Sequence, residues 1–325
     1  MIKKKILITG VAGFIGFSLA EKLLRKNKKV YGIDNLDNYY SVILKKKRLN
    51  HLKKYKNFSF KKISFSNEKN INNYFSKIKF DVVIHLGAQA GVRYSLINPN
   101  KYIDSNFLGF INIINNSLKN GVKKIIYASS SSVYGDQRKY PFKENFTLLP
   151  KNIYGKTKVL NEQIANDISK NNKISLIGLR FFTVYGEWGR PDMFIMKYLN
   201  SIFNKKNFYL YNKGHHQRDF TYIDDVTNIV FKLMNKRIIN KNLIFNICSS
   251  KTIHLKNLLN KIDFLLKKKP KIIKVGFQKT DVLKTHGDNK KIKNYTNYKK
   301  FTNFDVGLKK TINWYLKEKI WRISK

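Results

Sequence analysis

Lys5-Ile6-Leu7-Ile8-Thr9-Gly10-Val11-Ala12-Gly13-Phe14-Ile15-Gly16 decides the fold. A short apolar run enters a turn with three glycines, and an amphipathic segment follows. Read as strand, turn and helix, the glycines permit a tight reversal and a close backbone approach to a pyrophosphate at the helix N-terminus. Glycine-rich turns have many uses. The strand before and the helix after make this one specific.

Outward from that turn, apolar runs predict strands at Lys5–Thr9, Lys29–Asp34, Phe58–Ile63, Asp81–Leu86, Lys124–Ser129 and Ile174–Arg180. Between them, helical periodicity covers Phe14–Lys26, Ser41–Lys54, Glu68–Lys77, Asn100–Asn120 and Ile153–Lys170. Strands alternating with helices imply an α/β fold with a doubly wound parallel (Rossmann) sheet. Their continuous apolar character fits a sheet covered on both faces. After about residue 184 the rhythm breaks. Short strands at Phe208–Tyr211, Leu243–Ile247 and Lys271–Val275 mix with helices. We expect residues 1–183 to form the dinucleotide-binding domain, with 218–240 returning to it. Residues 184–325 then form mainly a smaller, interleaved substrate lobe. The Asn100–Asn120 helix is apolar on most of its circumference, so one side should meet the sheet and the other a second subunit.

The chain has 325 residues and 42% apolar content, enough for one large core. Its 65 Lys+Arg against 20 Asp+Glu give a net charge of +45. Such a balance suggests polyanions. The charge is spread along the chain, is almost all Lys, and comes with no nucleic-acid motif. It reads as compositional drift on solvated faces, and no nucleic-acid partner is expected. Met1-Ile2-Lys3-Lys4-Lys5 starts like a signal peptide, but the apolar stretch behind it is too short. No apolar run reaches the ~18 residues of a membrane span. One cysteine, Cys248, fits a reducing cytosol, and a cytoplasmic location is expected. His51, His215, His216, His254 and His286 show no metal-ligand spacing, so no metal is expected; His85 reads as a buried core residue.

Asp34 ends the second strand, where a carboxylate accepts bonds from ribose hydroxyls and repels a 2′-phosphate. That predicts NAD over NADP. Ser129-Ser130-Ser131-Ser132-Val133-Tyr134-Gly135 ends the fifth strand, and Tyr154-Gly155-Lys156-Thr157-Lys158 opens a later helix. Positions i and i+4 share a helix face, so Lys158 meets Tyr154. An ammonium and a positive nicotinamide ring would lower the phenol pKa toward neutral, making Tyr154 a general base. A serine of the 129–132 run would bridge to substrate.

With Gly32–Leu36, Asp81–Ser95, Leu179–Met193 and Arg218–Asp225, these motifs resemble the nucleotide-sugar epimerases of the extended short-chain dehydrogenase/reductase class over essentially the full length. The resemblance is strongest to UDP-glucuronate 4-epimerases of polysaccharide biosynthesis, through Gly91-Val92-Arg93-Tyr94-Ser95 and Gly189-Arg190-Pro191-Asp192-Met193. It implies a homodimer that uses NAD on a UDP-sugar. Tyr154 would take the C4 hydroxyl proton while C4 gives up its hydride. The 4-keto sugar would then turn and receive the hydride on its other face. The resemblance assigns Gly10, Gly13, Phe14, Ile15, Gly16, Asp34, Asn35, Ser64, Leu86 and Ala88 to NAD, along with Tyr154 and Lys158. It makes Ser130 the bridging hydroxyl, with Ser129, Ser131 and Ser132 as alternatives. Ser131, Ser132, Thr183 and Arg190 would grip the C6 carboxylate, Arg218 the diphosphate and Asp281 the uridine ribose; Arg93 also joins the substrate set. Arg218 has a second reading, an ion pair with Asp224 or Asp225.

The chain departs from the family pattern at three places and differs from related enzymes at a fourth. Ser64 replaces an Asp that touches adenine, Lys279-Thr280-Asp281 replaces Pro-Gly-Asp, and Gly87 stands where alanine is common, with little effect expected. Ser132 stands where related dehydratases and decarboxylases carry an acid, which favours plain epimerisation. UDP-glucose or UDP-N-acetylhexosamine epimerisation, dehydration or decarboxylation, and polyanion binding on a Rossmann shell are the competing readings.

Overall fold

Among the described residues the chain forms twelve strands. The computed structural model describes residues 4–238, 241–278 and 281–323. Met1–Lys3, Lys279, Thr280 and the last two residues of the 218–240 segment lie outside the described residues. The strands are β1 Lys5–Thr9, β2 Lys29–Asp34, β3 Phe58–Lys62, β4 Val82–His85, β5 Lys124–Ser130 and β6 Ser175–Phe181. Then follow β7 Thr183–Tyr185, β8 Phe208–Tyr211, β9 Gln217–Tyr222, β10 Asn242–Ile247, β11 Thr252–His254 and β12 Ile272–Val275.

Seven strands make the main sheet, in the order β10-β6-β5-β4-β1-β2-β3. Every pairing is parallel. This is the doubly wound sheet expected from the sequence. The strand β6 is buried at all positions, because helices cover both faces. The edge strand β3 departs from that rule. Lys61 and Lys62 stand exposed there, and lysines on an edge discourage further pairing. The chain order reverses between β1 and β4, and a crevice opens outside their carboxyl ends.

Of the three later strands read with the smaller lobe, only two stay out of the main sheet. The pair β8–β12 is a separate two-stranded sheet. Strand β10 instead lies beside β6, with Asn242 opposite Leu176 and Ile247 opposite Phe181. Strand β9, which carries Arg218, sits between β7 and β11 in a three-stranded sheet. The helix Ile223–Asn235 follows β9 and packs on the helix Phe14–Arg25.

The predicted continuous helix Asn100–Asn120 is interrupted. It runs as a short α-turn, a π-turn over Ile103–Leu108, and an α-helix over Gly109–Lys119. The wider turn rotates Asn106 inward. Its side chain accepts from Gln89 N at 2.7 Å and donates to Gln89 O at 3.0 Å and to Thr157 Oγ1 at 3.2 Å. One asparagine thus joins the loop after β4 to the helix Ile153–Asn171. Apolar periodicity reveals the buried face of such a helix but not a local change of pitch.

The helix Ile153–Asn171 is capped by Asn152, whose side chain accepts from Gly155 N at 2.8 Å. Its inward face carries Glu162, which forms a forked pair with Arg180 of β6 at 2.9 and 2.7 Å. Arg180 Nη1 also donates to the Tyr134 hydroxyl at 2.8 Å and to Glu144 O at 3.0 Å. Both partners are almost wholly buried. Arg180→Met would strand the Glu162 carboxylate without its cation. We expect a stability loss of about 3–5 kcal/mol by chemical denaturation; a change near zero would mean that water reaches Glu162.

Candidate active site

The crevice at the sheet reversal is a cavity of about 930 Å³ lined by both halves of the chain. Its floor is the glycine turn. Gly10 has φ +68°, and a Cβ at Gly16 would lie 2.2 Å from Gly10 O. The helix beginning at Phe14 has Gly13 as its N-cap, with no side-chain acceptor. Its first N–H groups are therefore left for an anion. Gly10, Gly13, Phe14, Ile15, Gly16, Asp34, Asn35, Leu86 and Ala88 all line the cavity.

Asp34 closes the turn from β2. Its Oδ2 accepts from Ala12 N at 3.0 Å and its Oδ1 from Leu36 N at 2.8 Å. Burial pushes its carboxyl up, while those N–H groups, Lys45 and Arg48 pull it back. Each carboxylate oxygen keeps a further lone pair for a ribose hydroxyl. These groups fit a dinucleotide: a cradle without Cβ atoms, unclaimed helix amides and an acid at the second strand end.

Ser64 is not part of this lining. Its hydroxyl bonds Ser66 Oγ at 2.8 Å, and the neighbouring Phe65 lines the cavity instead. Gly87 also matters more than expected, because a Cβ there would lie 2.5 Å from the Phe65 ring. Phe65 and Gly87 thus fill one space together.

Tyr154, Lys158 and Ser130 line the same cleft, and the Ser130 hydroxyl is hydrogen-bonded to the Tyr154 phenol. Lys158 Nζ donates to Ala128 O at 2.9 Å and lies 5.9 Å from the Tyr154 ring centroid. Burial pushes the Lys158 ammonium down to about 8, against the pull of Glu162. Burial also pushes the Tyr154 phenol up, while the Ser130 hydroxyl, by a hydrogen bond, and the Arg190 guanidinium pull it back. The protein groups alone therefore do not produce the lowered phenol pKa expected from sequence. Burial outweighs them, and Arg190 acts on the phenol where Lys158 was expected to.

The four serines separate clearly. Ser129 donates to Glu162 Oε1 at 2.5 Å and is buried. Ser130 Oγ accepts from Ser132 N at 3.1 Å and donates to Ser132 Oγ at 3.1 Å. All four serines line the cavity with Thr183, so it is their hydrogen-bond partners that tell them apart.

Toward the smaller lobe the cleft turns basic. Arg93 pairs with Asp281 at 2.6 Å and stacks 3.9 Å from the Tyr211 ring centroid. Arg218 Nη1 donates to Gln217 O at 2.9 Å and Leu283 O at 3.1 Å. It makes no ion pair with Asp224 or Asp225 among the described residues; Asp225 instead accepts from Tyr298 and Thr302. Burial pulls the Arg218 guanidinium down to about 10, with Arg93 adding to that and Asp281 opposing it. An anion entering here gains from both arginines.

Arg190 is forked onto Asp192, with Nε 3.0 Å from Oδ1. Asp192 follows Arg190 by two residues in a stretch already singled out, so the signal was present. Arg48 was harder to see within Lys45-Lys46-Lys47-Arg48, which reads as a solvated face. It is wholly buried. Its Nη1 donates to Ala12 O and the Tyr40 hydroxyl, both at 2.9 Å, and its Nη2 to Trp188 O and Gly189 O. One guanidinium thereby ties the glycine turn to the Arg190 segment. His85 is buried as expected, with Nδ1 2.7 Å from Thr9 Oγ1; burial pushes it down to about 3.

A glycine turn, a strand-end carboxylate and a Tyr/Lys pair on this sheet define a Rossmann-type dinucleotide enzyme. A family model described as the NAD dependent epimerase/dehydratase family matches residues 6–248, and the chain belongs to that family. A UDP-glucuronate 4-epimerase of Thermodesulfobacterium geofontis is 38% identical over 95% of either chain. A crystal structure of UDP-glucuronic acid 4-epimerase from Bacillus cereus, with UDP-glucuronic acid and NAD, superposes with TM-score 0.91 at 26% identity. The match covers 97% of this chain and 99% of that one. A UDP-glucose 4-epimerase of Thermotoga maritima, with UDP-glucose, superposes with TM-score 0.87 at 27% identity over 97% and 99%. Family, fold and relatives agree on an NAD-dependent nucleotide-sugar epimerase.

The buried Lys158 has a measurable consequence. Its folded pKa lies below the ordinary value of 10.5. Folding therefore carries a cost that is full below about pH 8 and fades as pH rises toward 10.5. The parent should gain up to about 3 kcal/mol on Lys158→Met across that window in denaturation at graded pH. A difference independent of pH would contradict a buried, charged Lys158.

Proposed function

We propose that the protein inverts C4 of UDP-glucuronate, giving UDP-galacturonate through a transient 4-keto sugar. The observation that carries this reading is that Tyr154, Ser130 and Lys158 line one cleft together with the glycine cradle, Arg93 and Arg218. Bound NAD supplies reversible hydride acceptance at C4, and its ring charge favours the Tyr154 phenolate.

Tyr154 accepts the C4 hydroxyl proton, and Ser130, hydrogen-bonded to the phenol, steers it. Lys158 is anchored to Ala128 O and keeps a positive charge beneath the ring. Arg218, with Arg93 beside it, holds the diphosphate while the sugar turns. Asp281, paired with Arg93, borders the uridine end. Ser131, Ser132, Thr183 and Arg190 form a polar wall near Tyr154 suited to a C6 carboxylate. That wall favours the uronate over UDP-glucose or UDP-N-acetylhexosamine. Serine in place of an acid at 132 argues against dehydration. On this reading residues 1–183 mainly hold NAD, and residues 184–325 mainly hold the sugar nucleotide.

We further propose a cytosolic homodimer. Among the described residues no helix is long and apolar enough to cross a membrane. Ile97, Ile103, Leu108 and Leu160 are exposed on neighbouring helices, an apolar face suited to a second copy. Sedimentation should give a dimer that dissociates in Ile97→Asp/Leu108→Asp. A monomeric parent would remove this part of the reading.

Incubation with UDP-glucuronate and catalytic NAD should yield UDP-galacturonate reversibly. Tyr154→Phe should lower kcat by roughly 10²–10⁴. Turnover of UDP-glucose alone would keep the mechanism and discard the carboxylate wall.

A further inference from the structure

The guanidinium of Arg190 is not loose in the cleft. Its Nε donates to Asp192 Oδ1 at 3.0 Å and its Nη2 to Asp192 Oδ2. That side-on fork uses two of five donors. The end-on edge, Nη1 with the second Nη2 hydrogen, has no protein acceptor among the described residues, and Arg190 lines the cavity with Ser131, Ser132 and Thr183.

Asp192 is itself held. The Tyr39 hydroxyl donates to its Oδ2 at 3.3 Å. Burial, with the Asp192 charge adding to it, pushes that phenol up to about 12, so it stays a donor. Tyr39 in turn is seated against Gly91 at φ +106°, where a Cβ would lie 2.2 Å from the phenol oxygen. The Arg190–Asp192 pair is itself largely buried. Burial works against both charges, and each partner outweighs it for the other.

We infer that Asp192 is the positioning residue that decides the product, by fixing Arg190 so that its open edge holds a C6 carboxylate still. The inference rests on UDP-glucuronate being the substrate. Oxidation at C4 makes that sugar a β-keto acid. If the C5–C6 bond lines up with the carbonyl π system, it breaks and CO2 leaves. The bonding pair then forms the C4 enolate, and C5 takes a proton from solvent. The product is a 4-keto pentose, and the cofactor stays reduced by the hydride from C4. A guanidinium locked from behind keeps the carboxylate out of that alignment. A neutral Asn at 192 accepts only one of the two N–H groups, and its own amide hydrogens face the other. Arg190 then swings, and the carboxylate swings with it.

The test is the ratio of CO2 plus UDP-4-keto-pentose to UDP-galacturonate formed from UDP-glucuronate by the NAD-loaded enzyme. It is read in the parent, Asp192→Asn and Tyr39→Phe. The parent should epimerise cleanly, Asp192→Asn should raise the ratio by about tenfold or more, and Tyr39→Phe should move it the same way by less. General loosening of the fold lowers both products together and leaves the ratio unchanged. A folded, NAD-loaded Asp192→Asn with the parental ratio overturns the inference while leaving the substrate reading intact. If Asp192→Asn does not fold, an unchanged ratio in Tyr39→Phe overturns it instead. A parent inactive on UDP-glucuronate but active on UDP-glucose overturns the substrate reading, and the inference falls with it.

Discussion

The molecule is organised around one close backbone approach. A Cβ at Gly16 would lie 2.2 Å from Gly10 O, and one at Gly10 would lie 2.7 Å from Gly87 Cα. Only with those atoms absent can the first helix start so tightly against β1 and the loop after β4. That packing sets the cleft at the sheet reversal, and the rest is braced to it. Asp34 holds the turn through Ala12 N, and Arg48 grips Ala12 O. The far hand of Arg48 holds Trp188 O and Gly189 O, next to Arg190. A shift in the glycine turn is therefore a shift in the Trp188–Arg190 segment.

Charges in the cleft are held in place by other protein groups. Lys158 is bonded to a backbone carbonyl, Arg190 to Asp192, and Arg93 to Asp281. An arginine fixed by an acid loses little freedom when it meets a substrate anion, and its direction is set in advance. The Tyr154 phenol shows the other side of burial. The protein raises its pKa despite Ser130 and Arg190, so a strong base is available only when a further positive charge stands beside it. Under the proposed function, removal of the C4 hydroxyl proton by Tyr154 would thereby be tied to an oxidised cofactor in place.

Much of this was legible in the residues. The β1 turn, the strand alternation and Tyr154/Lys158 are local patterns with local causes. Other features depend on partners far along the chain. Ser64 matched a family position by order, yet its hydroxyl turned to Ser66 while Phe65 took the cavity wall and required Gly87. The π-turn at Ile103–Leu108 exists because Asn106 bonds Gln89 and Thr157, which periodicity cannot register. Arg48 looked like surface charge because three of its four acceptors come from two distant segments, at Ala12 and at Trp188-Gly189. Strand β10 looked like part of the smaller lobe because sequence order hides that it completes the main sheet beside β6.

Under the proposed function, C4 is oxidised and then reduced again by the same hydride within one active site. UDP-glucuronate carrying deuterium at C4 tests this directly, by mass and NMR analysis of the UDP-galacturonate formed in ordinary water. Retention of the deuterium at C4 of the inverted product, with none gained or lost to solvent, is the predicted result. Loss of the label from C4, or its appearance at C5 or in free reduced cofactor, would contradict the account.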